Sequence, residues 1–164
     1  MRNIVVLLIF AVALALQAGC GGGGPHRPSD LPKLHPVNIT ITQGGTPLEG
    51  ATVNLTSKTP ATYGTATGAT DSSGVAAMRT YGFTGVPEGQ YTVTVMKTAI
   101  EGATEQMDGN AKILVGGRIY QYVDAQYQNA ETSTLSIDIK AGTTNETLDV
   151  GAPVKEFIAE NLRD

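Results

Sequence analysis

Gly85-Val86-Pro87-Glu88-Gly89-Gln90-Tyr91-Thr92-Val93-Thr94-Val95 is the stretch that decides the fold. Pro87, Glu88 and Gly89 spell a turn, because proline presets φ and glycine takes positive φ without steric cost. Beyond it Tyr91, Val93 and Val95 alternate with Thr92 and Thr94. A period of two puts the first three on the buried face of a strand and the threonines on the open face. The rhythm recurs on both sides. Val37, Ile39 and Ile41 alternate with Asn38, Thr40 and Thr42, and Gln43-Gly44-Gly45-Thr46-Pro47 turns the chain. Ala51, Val53 and Leu55 alternate with Thr52, Asn54 and Thr56 in a second strand. A third falls within Thr62 to Thr70, and Asp71-Ser72-Ser73-Gly74 turns into a fourth, Val75 to Thr80. The Tyr91 strand is the fifth, Leu135, Ile137 and Ile139 mark a sixth, and Leu148 with Val150 ends a seventh after the Ala141-Gly142 turn. Short strands with turns at regular spacing predict an all-β, seven-stranded sandwich over residues 37–150.

Outside those strands the expectations differ. Thr98 to Asn110 is polar, breaks the rhythm and reads as a long exposed loop, with a short strand over Lys112 to Val115. After Pro153, Val154, Phe157, Ile158 and Leu162 recur at helical spacing. With proline in the first turn, this predicts a short amphipathic C-terminal helix within residues 151–164.

The chain opens with Met-Arg-Asn and thirteen apolar residues, Ile4 to Leu16, followed by Gln17-Ala18-Gly19-Cys20. A spanning helix needs about 20 apolar residues, and a secretory h-region about 7–15. Residues 1–19 therefore read as an export signal. Cys20 is the only cysteine. Small residues before a lone thiol resemble the lipobox of bacterial lipoprotein signals, although Gln17 stands where leucine is usual. That resemblance implies cleavage before Cys20, acylation of its sulfur (palmitate among the chains) and a membrane as partner. Two or more acyl chains anchor stably where one does not. Gly21 stands where enteric lipoproteins retained in the inner membrane carry Asp, so the expected location is the outer membrane. Gly21 to Pro36 is rich in glycine and proline and reads as a tether, residues 20–36, in which His26 and His35 are solvated linker residues.

Removing the leader takes away Arg2 and moves the net charge from −4 to −5. No basic stripe offers itself to nucleic acid. Charged residues make up 16%, against about 25% in ordinary domains, and threonine-rich alternation fits an exported β domain.

Gly50-Ala51-Thr52-Val53 after the Pro47 turn, Thr70-Asp71-Ser72-Ser73-Gly74, and the Pro87 to Val95 strand occur in an order that resembles the carboxypeptidase regulatory-like domain. That domain is a transthyretin-like (prealbumin-like, immunoglobulin-like) sandwich. Tyr122-Val-Asp-Ala-Gln-Tyr127 through Glu131-Thr132-Ser133-Thr134-Leu135 resembles, more narrowly, small planctomycete lipoproteins that carry it. The resemblance spans roughly Val37 to Val150 and implies a fold and a location. It implies no shared activity, because family members are mostly accessory modules.

The residues point away from enzyme chemistry. Hydroxyisourate hydrolases of transthyretin-like fold use histidines, an arginine and a C-terminal Tyr-Arg-Gly-Ser, whereas this chain ends Asn161-Leu162-Arg163-Asp164. With both histidines assigned to the tether, no base remains for a Ser-His-Asp triad. Glu101, Glu105 and Asp108 cluster in sequence, but in what reads as a solvated loop. Asp71 with Ser72 and Ser73 is thin for calcium, which takes six to eight oxygens, and reads as a turn. No metal and no cofactor are expected. Asn38, Asn54 and Asn145 open glycosylation-type sequons and read as outward strand residues. Tyr120, Tyr122 and Tyr127 are the candidate ligand-binding residues, able to stack on sugar rings or to plug one end of the sandwich. The sequence thus supports a non-enzymatic module for structural or protein interaction. Its alternative is a carbohydrate- or peptide-binding accessory of an envelope uptake system, with an envelope protein or polysaccharide as partner.

Overall fold

A computed structural model describes residues 26–161. Its strands are β1 (Val37–Gln43), β2 (Thr46–Pro47), β3 (Thr52–Ser57), β4 (Thr65–Ala69), β5 (Val75–Ala77), β6 (Arg79–Thr80), β7 (Phe83–Thr84) and β8 (Gly89–Met96). There follow β9 (Thr98–Glu101), β10 (Thr104–Asp108), β11 (Ala111–Val115), β12 (Arg118–Gln121), β13 (Ser136–Ile139), β14 (Thr144–Asp149) and β15 (Glu156–Glu160). One sheet runs β13-β8-β3-β4-β6-β7. The second runs β14-β1-β2, with β5 also paired to β1. All seven expected strands are present. The fourth is split: β5 joins β1 while β6 joins β4, so the chain changes sheets at Met78, which is fully buried. Strands that switch sheets in this way close the corner of a sandwich.

The alternation sets the core. Ile39 and Ile41 from one sheet meet Val53, Leu55, Tyr91, Val93 and Val95 from the other in a single buried cluster. On β8 the open face is not uniform: Thr92 is half-buried, but Thr94 is only 7% exposed. Beside β8 runs the single-turn 3-10 helix Ala125–Tyr127 and the segment after it, from which Leu135 accepts the Val93 N–H. Sequence alternation reports the pleat and not what lies over it. Val93→Ala lowers stability by about 1–3 kcal/mol, whereas Thr92→Ala changes it by about 0.5 kcal/mol. Urea midpoints that ranked the two oppositely would mean a strand register shifted by one residue.

Three expectations fail. Among the described residues no helix forms after Pro153, and Leu162 lies outside them. Glu156–Glu160 is a strand, antiparallel to β12. A helix of that length is marginal on its own, and the edge of β12 supplies the backbone bonds instead. Thr98 to Asp108 is not an irregular loop, because β9 pairs with β12 and β10 with β11. All of its side chains in those strands are exposed, so no buried face leaves an alternating signature. The tether does not run free up to Pro36. Leu31 and His35 are buried, the Arg27 guanidinium lies over the Phe83 ring, and the Tyr63 hydroxyl donates to Asp30.

Register fixes two opposite ends. At one, His35 bridges Val86, the Thr144 N–H donates to Pro36, and Ile139 lies across from Gly89. At the other, Gln43 donates its side-chain amide to the Tyr122 carbonyl, the Tyr122 N–H donates to Lys97, and Thr42 receives the Val150 N–H. The described chain enters at the first end. The β15-β12-β9 sheet stands at the second.

Asp149 helps tie down that second end. Its carboxylate accepts from the Gly45 N–H, the Thr42 hydroxyl and the Gly151 N–H at 2.9, 2.7 and 2.8 Å. These bonds, the Gly45 N–H foremost, hold its carboxyl below the usual range. A depressed carboxyl contributes stability above its unfolded value, near pH 4, and loses it as the pH falls through the folded value. Urea midpoints of the wild type should therefore fall below about pH 4 more steeply than those of Asp149→Asn. Parallel profiles would refute the assignment.

Candidate functional site

The sheet β15-β12-β9 carries a cluster of ionic and aromatic side chains. Alternation on β12 sends Arg118 and Tyr120, with Tyr122 just beyond, to one face. Register brings Glu101 and Glu160 opposite Arg118, and Ala99 and Phe157 opposite Tyr120. An irregularity between Ile119 and Tyr120 shifts the β15 register, and it is this shift that sets Phe157 rather than Ile158 beside the tyrosine. The Phe157 ring meets Tyr120 edge-on at 6.1 Å between centroids. The Lys155 ammonium stands 4.4 Å above the Tyr120 ring and also reaches Glu101 at 2.6 Å. The Tyr122 hydroxyl donates to the other oxygen of Glu101.

Charge and hydrogen bonding reinforce one another here. Lys155 and then Tyr122 hold the Glu101 carboxyl below its ordinary range. The same bond to Glu101 pushes the Tyr122 phenol up and raises the Lys155 ammonium. All these groups touch water, so the network orders side chains more than it adds stability. Arg118 and Glu160 form a further exposed pair at 3.2 Å.

Behind this face, Ile100, Ile113, Leu114 and Ile119 line a cleft of about 460 Å³ with Lys112 and Asn161. Ile100, Met107, Leu114, Phe157 and Ile158 are all exposed on this sheet and the adjoining β10–β11 hairpin, with Met96 at the end of β8. Among the described residues, Tyr81 alone is comparably bare at the opposite end. Single exposed apolar residues are ordinary, and it is their concentration at this end that sets it apart.

The three candidate tyrosines do not form a row. Tyr120 and Tyr122 share the face just described. Tyr127 lies in the 3-10 turn and packs against the core of the sandwich. All three are half-buried. Cys20 lies outside the described residues. Asp71 spends one carboxylate oxygen on the Ser73 and Val75 N–H groups, at 2.8 and 3.0 Å, as a turn residue does. Among the described residues no three His, Cys, Asp or Glu gather as a metal-binding group.

His35 departs from the expectation for the tether. It is no solvated linker residue but part of the fold, 3% exposed, so the domain does contain a histidine. Its ring contacts the Gly142 N–H and Glu88, not a serine. The signal was present in the sequence: His35 sits two residues before Val37, in phase with Val37, Ile39 and Ile41. Phe157 was hidden by its helical spacing. Lys155 and Glu101 carried no local signal, since they meet only through pairing across the sheet.

Fold and site together define an all-β sandwich bearing an accessory sheet with an aromatic-ionic face. Among solved structures the chain is similar to BcpA, the major pilin subunit of Bacillus cereus, at 16% identity and a TM-score of 0.38, covering 73% of this chain. A variant of the same pilin gives 0.39 at the same identity. The chain spans about 30% of the length of that pilin. No family model and no curated protein sequence matches the chain.

Proposed function

We propose that this chain is a lipid-anchored protein of the bacterial cell envelope, held at the outer membrane by acylated Cys20. Its sandwich serves as a non-enzymatic module for structural or protein interaction. One observation carries the reading: the described chain enters the sandwich at one end, and the exposed apolar residues collect at the other. A lipid at the N-terminal side therefore leaves the β15-β12-β9 sheet facing away from the membrane. The order of the Asp71 turn and the Tyr91 strand on two packed sheets supports a carboxypeptidase regulatory-like module of the small-lipoprotein kind. The edge-on Tyr120–Phe157 pair favours a second reading, in which the far face holds a polysaccharide or peptide for an uptake system.

Two measurements test this. Radiolabelled fatty acid should enter the wild type and not Cys20→Ser. Equal labelling would remove the anchor from the proposal. A photocrosslinking residue at Ile158 should capture an envelope protein in intact cells, and one at the still barer Tyr81 should not. Capture of glycan at Ile158 would establish the second reading. Equal yields at both positions would overturn the far-face assignment.

A further inference from the structure

We propose that His35 is a pH-operated clamp where the N-terminal segment joins the sandwich, exchanging a hydrogen bond from Gly142 for an ion pair with Glu88 when its ring takes up a second proton. The backbone of His35 is held firmly. Its N–H donates to the Val86 carbonyl and its carbonyl accepts the Val86 N–H, both at 2.9 Å. The two ring nitrogens face different loops. The Gly142 N–H donates to Nδ1 at 3.0 Å. Nδ1 therefore presents a lone pair, and the single proton of the neutral ring sits on Nε2. Nε2 is sealed from solvent and lacks a hydrogen-bond partner. Glu88 Oε1 lies 3.0 Å from it, within ion-pair distance but off the direction of the N–H. The Glu88 side chain is 59% exposed, so it is free to turn towards a charge.

The second proton has one place to go, the Nδ1 that accepts from Gly142. Two N–H groups cannot share one hydrogen bond, so the Gly142 contact breaks. A buried positive ring then requires a counter-charge, and Glu88 stands in place to provide it. The other charged groups nearby are engaged or turned to water. Lys140, on the strand end leading to Gly142, pairs with Asp138 at 3.3 Å. Asp30, on the segment that leads to His35, accepts from Tyr63 at 2.7 Å. Lys33, on the same segment, is exposed. One proton thus changes which loop the histidine holds. Gly142 belongs to the turn between β13 and β14, and Thr144 at the start of β14 donates to Pro36 next to His35. Loss of the Gly142 bond loosens the end of β14 at the point where the N-terminal segment arrives.

The test follows the Gly142 amide and the His35 ring Cε1–H by NMR in the isotope-labelled full chain from about pH 8 to pH 5. The two signals should titrate together. On the acid side the Gly142 amide should exchange roughly two- to tenfold faster, after correction for the intrinsic rate, as befits loss of one hydrogen bond. His35→Asn offers an amide oxygen that cannot titrate, and should keep Gly142 equally protected throughout. In Glu88→Gln the charged ring has no counter-charge, so the thermal midpoint should drop further on acidification than in the wild type. The proposal is overturned if the His35 ring titrates while Gly142 does not respond. It is also overturned if the ring does not titrate in this range, or if His35→Asn retains the pH dependence.

Discussion

Tyr91→Ala lowers the free energy of unfolding by about 3–5 kcal/mol, the cost of deleting a large aromatic from a close-packed core. Tyr91 is 2% exposed and lies in the shared cluster of both sheets. Its hydroxyl donates to the Pro87 carbonyl at 3.1 Å, which ties the ring to the turn that starts its own strand. Burial also pushes the phenol up from its ordinary value, so it stays neutral at physiological pH. Two effects can therefore be separated. Tyr91→Phe keeps the packing and strands the Pro87 carbonyl, for a loss of about 1–3 kcal/mol. Equilibrium denaturation of the two variants gives the partition. An alanine variant no less stable than the phenylalanine variant would show that the ring does not fill the core.

Gly74→Ala is the second large effect, with an expected loss of more than about 3 kcal/mol. Gly74 has φ of 75°, in the left-handed region that costs other residues roughly 1–2 kcal/mol. Space adds to the conformational term, because a Cβ there would stand 2.6 Å from the Ile41 carbonyl and 3.1 Å from the Leu48 N–H. Both are backbone atoms of paired segments, and the Gly74 carbonyl itself accepts the Ile41 N–H at 2.8 Å. Nothing in that contact can yield without opening the edge of β1. Gly45→Ala is the comparison, since Gly45 also has positive φ but meets nothing within 4 Å. It should lose only the conformational term. Thermal midpoints that placed the two variants level would refute the steric argument.

Both residues stand in motifs that could be read before any coordinates. Turn chemistry at Asp71 to Gly74 and at Pro87 to Gly89 is local, as is the period-two alternation of β1, β3 and β8. Local chemistry of this kind specified the strands, their inward faces and hence the sandwich. The expectation of an export signal over residues 1–19 ending at Cys20 rests on the same kind of local property, because length, hydropathy and small residues belong to a segment by itself.

Tertiary structure decided the rest, and in each case through a partner distant in sequence. Phe157 and Ile158 fit a helix by spacing, but β12 offered an edge, and its backbone bonds outweighed a short isolated helix. Thr98 to Asp108 shows no alternation because neither face of those strands is buried, and pairing alone makes them strands. Glu101, Tyr122 and Lys155 meet across three strands, so the site they form has no contiguous motif. His35 kept the phase of β1, yet its role depends on Gly142, 107 residues away, and on the Glu88 turn. A sequence states which face each residue takes along its own strand. What lies over that face is set by chain closure, when segments far apart bury surface and satisfy each other's backbone groups.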